Sequence, residues 1–122
     1  MKTTKAMQRK FDRIQRRHDD KDWADAAKAR DGHKCWMCDK NSESGDRLNS
    51  HHILPKENYP EYRHEPWNSA TLCFRHHTVD KLSPHKDAIG FAEWVKKNKP
   101  EVYTEILNAL AFSGRAKDKK WE

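Results

Sequence analysis

Apolar residues are scarce in this chain: they make up 34% of its 122 residues, against roughly 45 to 50% in soluble domains. Charged residues reach 36%, so a single domain of this length sets little buried surface against chain entropy and its core must be small. No run approaches the ~18 apolar residues of a membrane span, and no apolar segment of the secretory type stands near the N-terminus. These absences exclude a membrane partner and point to a reducing compartment, the cytoplasm. Cysteine is sparse too, with three in all. An odd count strands one thiol in any disulfide framework, whereas a metal site with one added histidine uses every cysteine. Internal repeats and low-complexity tracts are also missing.

What the chain does have is paired metal-ligand spacing. Cys35-Trp36-Met37-Cys38 and Cys73-Phe74-Arg75-His76 each place two donors either side of two residues. Such a turn lets both donors reach one ion, and two of them close a tetrahedron, so Cys35, Cys38, Cys73 and His76 are expected to hold a structural Zn²⁺ with no open position. Zinc of this kind supplies on the order of 10 kcal/mol in small zinc-dependent peptides. The metal-free chain is therefore expected to be partly or wholly unfolded.

Basic residues outnumber acidic ones, with a formal net charge of +6, and such an excess favours a polyanionic partner through counterion release. Residues 2–30 lack Gly and Pro, and Met7, Phe11 and Ile14 follow a helical 4,3 spacing. From Lys2 through Lys21 this helix carries eight Lys or Arg against three acids, Asp12, Asp19 and Asp20. Arg9, Lys10, Arg13, Arg16 and Arg17 are candidate contacts to a DNA backbone, with a plain solvated helix face as the alternative. Asp31-Gly32 supplies the stop.

The chain divides into a basic N-terminal helix (1–30), a turn-rich metal-organised middle (31–82), a helical pair (83–113) and a charged tail (114–122). Asn41 to Asp46 reads as a turn, Arg47 to Leu54 as a strand ended by Pro55, and 56–67 as an irregular loop packed by Tyr59, Tyr62 and Trp67. The return strand is expected at Ala70 to Leu72, and a short helix from Phe74 to Lys81. Ser83-Pro84 reads as N-cap and first position of the next helix. Its face is expected on Ile89, Ala92 and Val95, ending at Asn98-Lys99-Pro100. A last helix follows with a stripe of Val102, Tyr103, Ile106, Leu107 and Leu110, stopped by Ser113-Gly114. Trp36, Trp67 and Trp94 are read as core.

Between the metal pairs lies a histidine doublet, His51-His52, and His77 follows the last structural ligand. The run Arg30-Asp31-Gly32-His33-Lys34-Cys35-Trp36-Met37-Cys38, then His51-His52-Ile53-Leu54-Pro55, then Asn68, then Leu72-Cys73-Phe74-Arg75-His76-His77 resembles the HNH endonuclease family over residues 30–81. The resemblance implies an α+β fold, a zinc-stabilised ββα-metal core of two antiparallel strands and a helix, here flanked by N- and C-terminal helices. It implies metal-dependent hydrolysis of DNA phosphodiester bonds, with His52 as general base and Asn68 bracing the loop that positions it. His51 and His77 would hold one catalytic divalent ion, Mg²⁺ or a transition metal. Neighbouring strand residues point to opposite sides, which suits one histidine to the ion and the other to water.

Two positions depart from the family pattern. His76 stands where cysteine is commoner, so His77 is an alternative fourth zinc ligand. Lys81 stands where some members carry a further histidine, leaving the catalytic ion's third ligand to water, phosphate or His64. Arg47, Arg63 and Arg75 are each candidate phosphate clamps, and Lys81 a candidate phosphate contact. The partners implied are DNA and phage or host DNA-processing proteins, in the host cytoplasm if the chain is phage-encoded. The alternative from another class is a noncatalytic zinc module that binds nucleic acid or protein.

Overall fold

The computed structural model describes residues 4–45 and 47–112, and in them three helices surround a two-stranded sheet. Helix α1 spans Lys5–Arg30. Thr4 caps it by accepting the Met7 amide at 3.1 Å, and it ends where Gly32 and His33 both turn left-handed, at φ 65° and 56°. That reversal is closed by the His33 amide on the Lys28 carbonyl at 2.7 Å.

Strand β1, Leu48–His51, pairs antiparallel with β2, Ala70–Cys73, in the register Leu48 to Cys73 and His51 to Ala70. Alternation sorts the side chains to two faces. Ser50 and its partner Thr71 face α1: the Ser50 hydroxyl donates to the Ala24 carbonyl at 2.9 Å and the Thr71 hydroxyl to the Asp31 carboxylate at 2.7 Å, with the Ala27 carbonyl 3.3 Å away. The opposite face carries His51 and Leu72 toward helix α2, Ala88–Asn98. There Leu72 joins Phe91 and Val95 in the core, with Val102, Ile106 and Ala109 of α3, Pro100–Phe112. The fold is thus α+β, with a ββα-metal-like centre and flanking helices.

Several sequence expectations need correcting. The helix face of α2 is Phe91 and Val95, four residues apart, whereas Ile89 is 79% exposed and Ala92 is also exposed. An aromatic ring buries more area than an isoleucine, and the helix rotates to seat it. On α3 the buried stripe is Val102, Ile106 and Ala109, with Leu107 exposed. Ser83 does not cap α2. The helix begins at Ala88 behind Asp87, whose carboxylate accepts the Gly90 amide at 2.8 Å. The short helix expected after β2 is present as a single wide π-helical turn, Arg75–Val79, closed by the Asp80 amide on the Arg75 carbonyl at 2.8 Å. The 56–67 loop does pack on its own aromatics, with Tyr62 against Tyr59 and Trp67. Trp36, Trp67 and Trp94 pack against the core as expected. The stop at Ser113-Gly114 and the charged tail lie outside the described residues.

Candidate metal centres and the histidine cleft

The first cluster is built by two turns hung on one strand. Residues 34–41 form a tight reversal, with Lys34 bridged to Asn41 and the Cys35 amide on the Lys40 carbonyl at 2.9 Å. The Trp36 amide ties this reversal to β2 by donating to the Thr71 carbonyl at 2.8 Å. Cys73 ends β2, and the turn that follows swings His76 back toward it.

The donors of Cys35, Cys38, Cys73 and His76 all lie within 4.8 Å of one another. Cys38 Sγ is 3.8 Å from Cys73 Sγ, and His76 Nδ1 is 3.8 Å from Cys35 Sγ and 3.2 Å from Cys73 Sγ. A tetrahedron with Zn–S bonds of about 2.3 Å has edges of about 3.8 Å, so the donor set fits zinc in both chemistry and spacing. Burial pushes the Cys38 thiol up to about 11, and the neighbouring Cys35 and Cys73 sulfurs add to the shift. Three thiols packed this closely ionise together only around a cation. His76 takes the fourth position, and His77 turns elsewhere.

The second cluster gathers His51 from β1, His77 from the wide turn and His85 from the turn before α2. His51 Nδ1 and His85 Nε2 lie 3.2 and 3.0 Å from His77 Nε2. Burial, reinforced by His77, His85 and His52, depresses His51 to about 3, and burial with His85 lowers His77 as well. His51 and His77 therefore stay neutral near pH 7, and with His85 they offer three ring nitrogens within 4.8 Å of one another, close enough to share one ion.

His85 is the member that sequence reasoning missed. It stands eight residues beyond His77, inside a stretch read as a helix start. Ser83, fully buried, holds it there: its hydroxyl donates to the His77 carbonyl at 2.7 Å and accepts the His85 amide at 3.2 Å. His64, the alternative third ligand, is not at this cluster. It pairs with Asp20 at 2.7 Å.

His52, one residue past β1, points to the other side of the sheet from His51. Its ring lies flat on Trp23 of α1, with centroids 3.9 Å apart and planes 7° from parallel. Nε2 is 2.8 Å from the Arg63 carbonyl. A carbonyl only accepts, so Nε2 carries the proton and Nδ1 keeps the lone pair. Burial holds His52 below its ordinary value, against the opposing pull of that carbonyl.

Asn68 is fully buried and spends its amide on backbone: Oδ1 accepts the Leu54 amide at 2.7 Å, and Nδ2 donates to the Leu54 and Tyr62 carbonyls at 3.1 and 3.0 Å. It thereby joins the segment after His52 to the segment that carries Arg63. All four histidines, 51, 52, 77 and 85, line one open cleft of about 450 Å³ with Lys56 on its wall.

The candidate phosphate contacts are spread out. Arg9, Lys10, Arg13, Arg16 and Arg17 are exposed on α1, and Lys81 is exposed beside the wide turn. Arg75 lies 3.6 Å from Asp80. Arg63 is committed to Asp20 by two hydrogen bonds of 2.9 and 2.7 Å, which removes it as a free clamp.

No protein-family model, curated protein or solved structure matches the chain. The Cys3His cluster and ββα arrangement are consistent with a zinc-binding HNH-like fold. Among the described residues no helix is long and apolar enough to cross a membrane.

Proposed function

We propose that this chain is a metal-dependent HNH-type DNA endonuclease. The observation that carries the reading is the split of the doublet about one strand end. His51 joins His77 and His85 on one side, His52 with its proton on Nε2 lies on the other, and all four residues line a single cleft. His51, His77 and His85 would hold Mg²⁺ or a transition ion, which supplies polarisation of the scissile phosphate and stabilises charge on the leaving oxygen.

His52 takes the proton of the attacking water at Nδ1. It is neutral at physiological pH because burial disfavours its charged form, which leaves it ready to accept. Asn68 keeps His52 in place by bracing both backbone segments around it. Cys35, Cys38, Cys73 and His76 hold zinc for architecture alone, since a closed tetrahedron offers substrate no position. Arg9, Lys10, Arg13, Arg16, Arg17, Arg75 and Lys81 supply positive charge for the DNA backbone.

The test is cleavage of supercoiled plasmid with added divalent ion, wild type beside His52→Ala. The expected result is nicking by the wild type only. Loss of the base lowers the rate by about 10²- to 10⁴-fold, while bound zinc and the circular dichroism spectrum stay unchanged. Equal cutting by both proteins removes His52 as the base. Salt-sensitive DNA binding without cutting under any ion assigns the chain to the noncatalytic zinc modules.

A further inference from the structure

Helix α1 reaches His52 in two independent ways, and both come from one helix face. Trp23 covers the flat of the imidazole, and it is itself fixed, 8% exposed, by its indole N–H donating to the Glu65 carbonyl at 3.0 Å. Asp20, three residues earlier, grips the guanidinium of Arg63 through both carboxylate oxygens. The Arg63 carbonyl is the group that accepts the His52 Nε2 proton. One contact sets the plane of the ring, and the other anchors the residue that sets its tautomer.

An imidazole held by a single hydrogen bond still swings about that bond and swaps which nitrogen carries the proton. A second constraint perpendicular to the ring removes the swing, and a fixed acceptor at Nε2 removes the swap. We infer that α1 is the positioning element of the general base, with Trp23 and Asp20 acting on catalysis only through His52. This rests on the nuclease reading, and it makes the basic helix more than a DNA contact. The helix that would carry the phosphate-facing arginines also aligns the base, so the base is correctly set only when α1 is docked.

The test uses the full zinc-loaded chain and two readouts. The first is the ¹⁵N and ring-proton spectrum of His52, which reports tautomer and stacking without any turnover. Wild type is expected to show one Nε2–H tautomer with ring protons shifted upfield by the indole. Trp23→Leu is expected to lose the upfield shift and mix tautomers, Trp23→Phe to keep both features, and Asp20→Asn to mix tautomers while keeping the shift.

The second readout is plasmid cleavage. Trp23→Leu is expected to lower kcat by about 10- to 100-fold with KM unchanged, to be rescued by Trp23→Phe, and to cost nothing further when His52 is already alanine. Should Trp23→Leu be too poorly folded to read, Asp20→Asn, at a partly exposed site, carries the same comparison. A His52 spectrum unchanged in both variants overturns the inference, as does a kcat loss that persists in the His52→Ala background. Failure of the wild type to cut is a separate result. It overturns the nuclease reading and is read in a different experiment from the imidazole spectrum.

Discussion

His85 Nε2 sits 3.0 Å from His77 Nε2, although neither residue belongs to a shared strand or helix. The buried Ser83 hydroxyl links their backbones. His85→Ala is therefore expected to weaken divalent-ion binding at the histidine cluster by about 10- to 100-fold or more, with zinc still present at one per chain. Calorimetric titration of the zinc-loaded protein with Mn²⁺, beside elemental analysis, checks both halves. Undiminished Mn²⁺ binding would remove His85 from the ligand set.

Asn68→Ala leaves the buried Leu54 amide and carbonyl without their Asn68 partners and takes one of two donors from the Tyr62 carbonyl, which keeps the Glu65 amide at 3.3 Å. Unpaired buried groups of this kind destabilise by about 2 to 4 kcal/mol in total. Urea denaturation of the zinc-loaded protein measures the effect. A change under about 0.5 kcal/mol, the range of ordinary surface substitutions, would show that the bracing is dispensable.

Asp20 is held well below the usual carboxylate range, to about 2, by the Arg63 guanidinium, against burial and with help from His64. A folded value below the unfolded ~3.9 means the stabilisation is fully present above about pH 4 and is lost as pH falls toward about 2. The gap in stability between wild type and Asp20→Asn, about 1 kcal/mol for a partly exposed bidentate pair, should accordingly be constant from about pH 5 to pH 8. Denaturation at several pH values tests it. A gap that closes across that range assigns the stabilisation to another group.

The paired cysteine spacers and the doublet were legible in the sequence because each is a short local pattern with a chemical reason for its spacing, whereas Asn68 stood out only through the family resemblance. The opposite pointing of His51 and His52 follows from strand alternation alone. The third histidine of the cluster was not legible, since Ser83-Pro84 is good helix-start chemistry and nothing local says that Ser83 would instead be buried against the His77 carbonyl. Nor was the Trp23 contact, which joins residues 29 positions apart through helix docking. The misassigned face of α2 has the same origin: Ile89 and Phe91 both fit an apolar stripe, and only the core decides which is used.

His76 and His77 are consecutive, yet they serve different clusters. Removing zinc with a strong chelator under reducing conditions should therefore dismantle the histidine cluster as well. The cooperative thermal transition and Mn²⁺ binding are expected to disappear together and to return together on adding Zn²⁺. Mn²⁺ binding that survives zinc removal would show that the wide turn holds its shape unaided.

The α1 face that docks Asp20 continues toward the N-terminus at Arg16, Arg13 and Arg9, at intervals of four, three and four residues. Replacing these three arginines with glutamine should weaken DNA binding and lower the slope of log affinity against log salt by about 0.9 for each phosphate no longer neutralised. The exposed stripe of Met7, Phe11 and Ile14 lies on the far side of the helix, and substitutions there should leave the slope unchanged. An unchanged slope for the arginine variant would take α1 out of the DNA interface.

From Lys5 to His18 every residue of α1 is exposed, a length of roughly 20 Å at 1.5 Å per residue. Laid along a duplex, that rod spans about six base steps at 3.4 Å each. On the nuclease reading it would work as a ruler: an oligonucleotide that fills the cleft but ends before the rod does would forfeit the rod's charges, so a helix rather than the histidine cleft would set the minimum footprint.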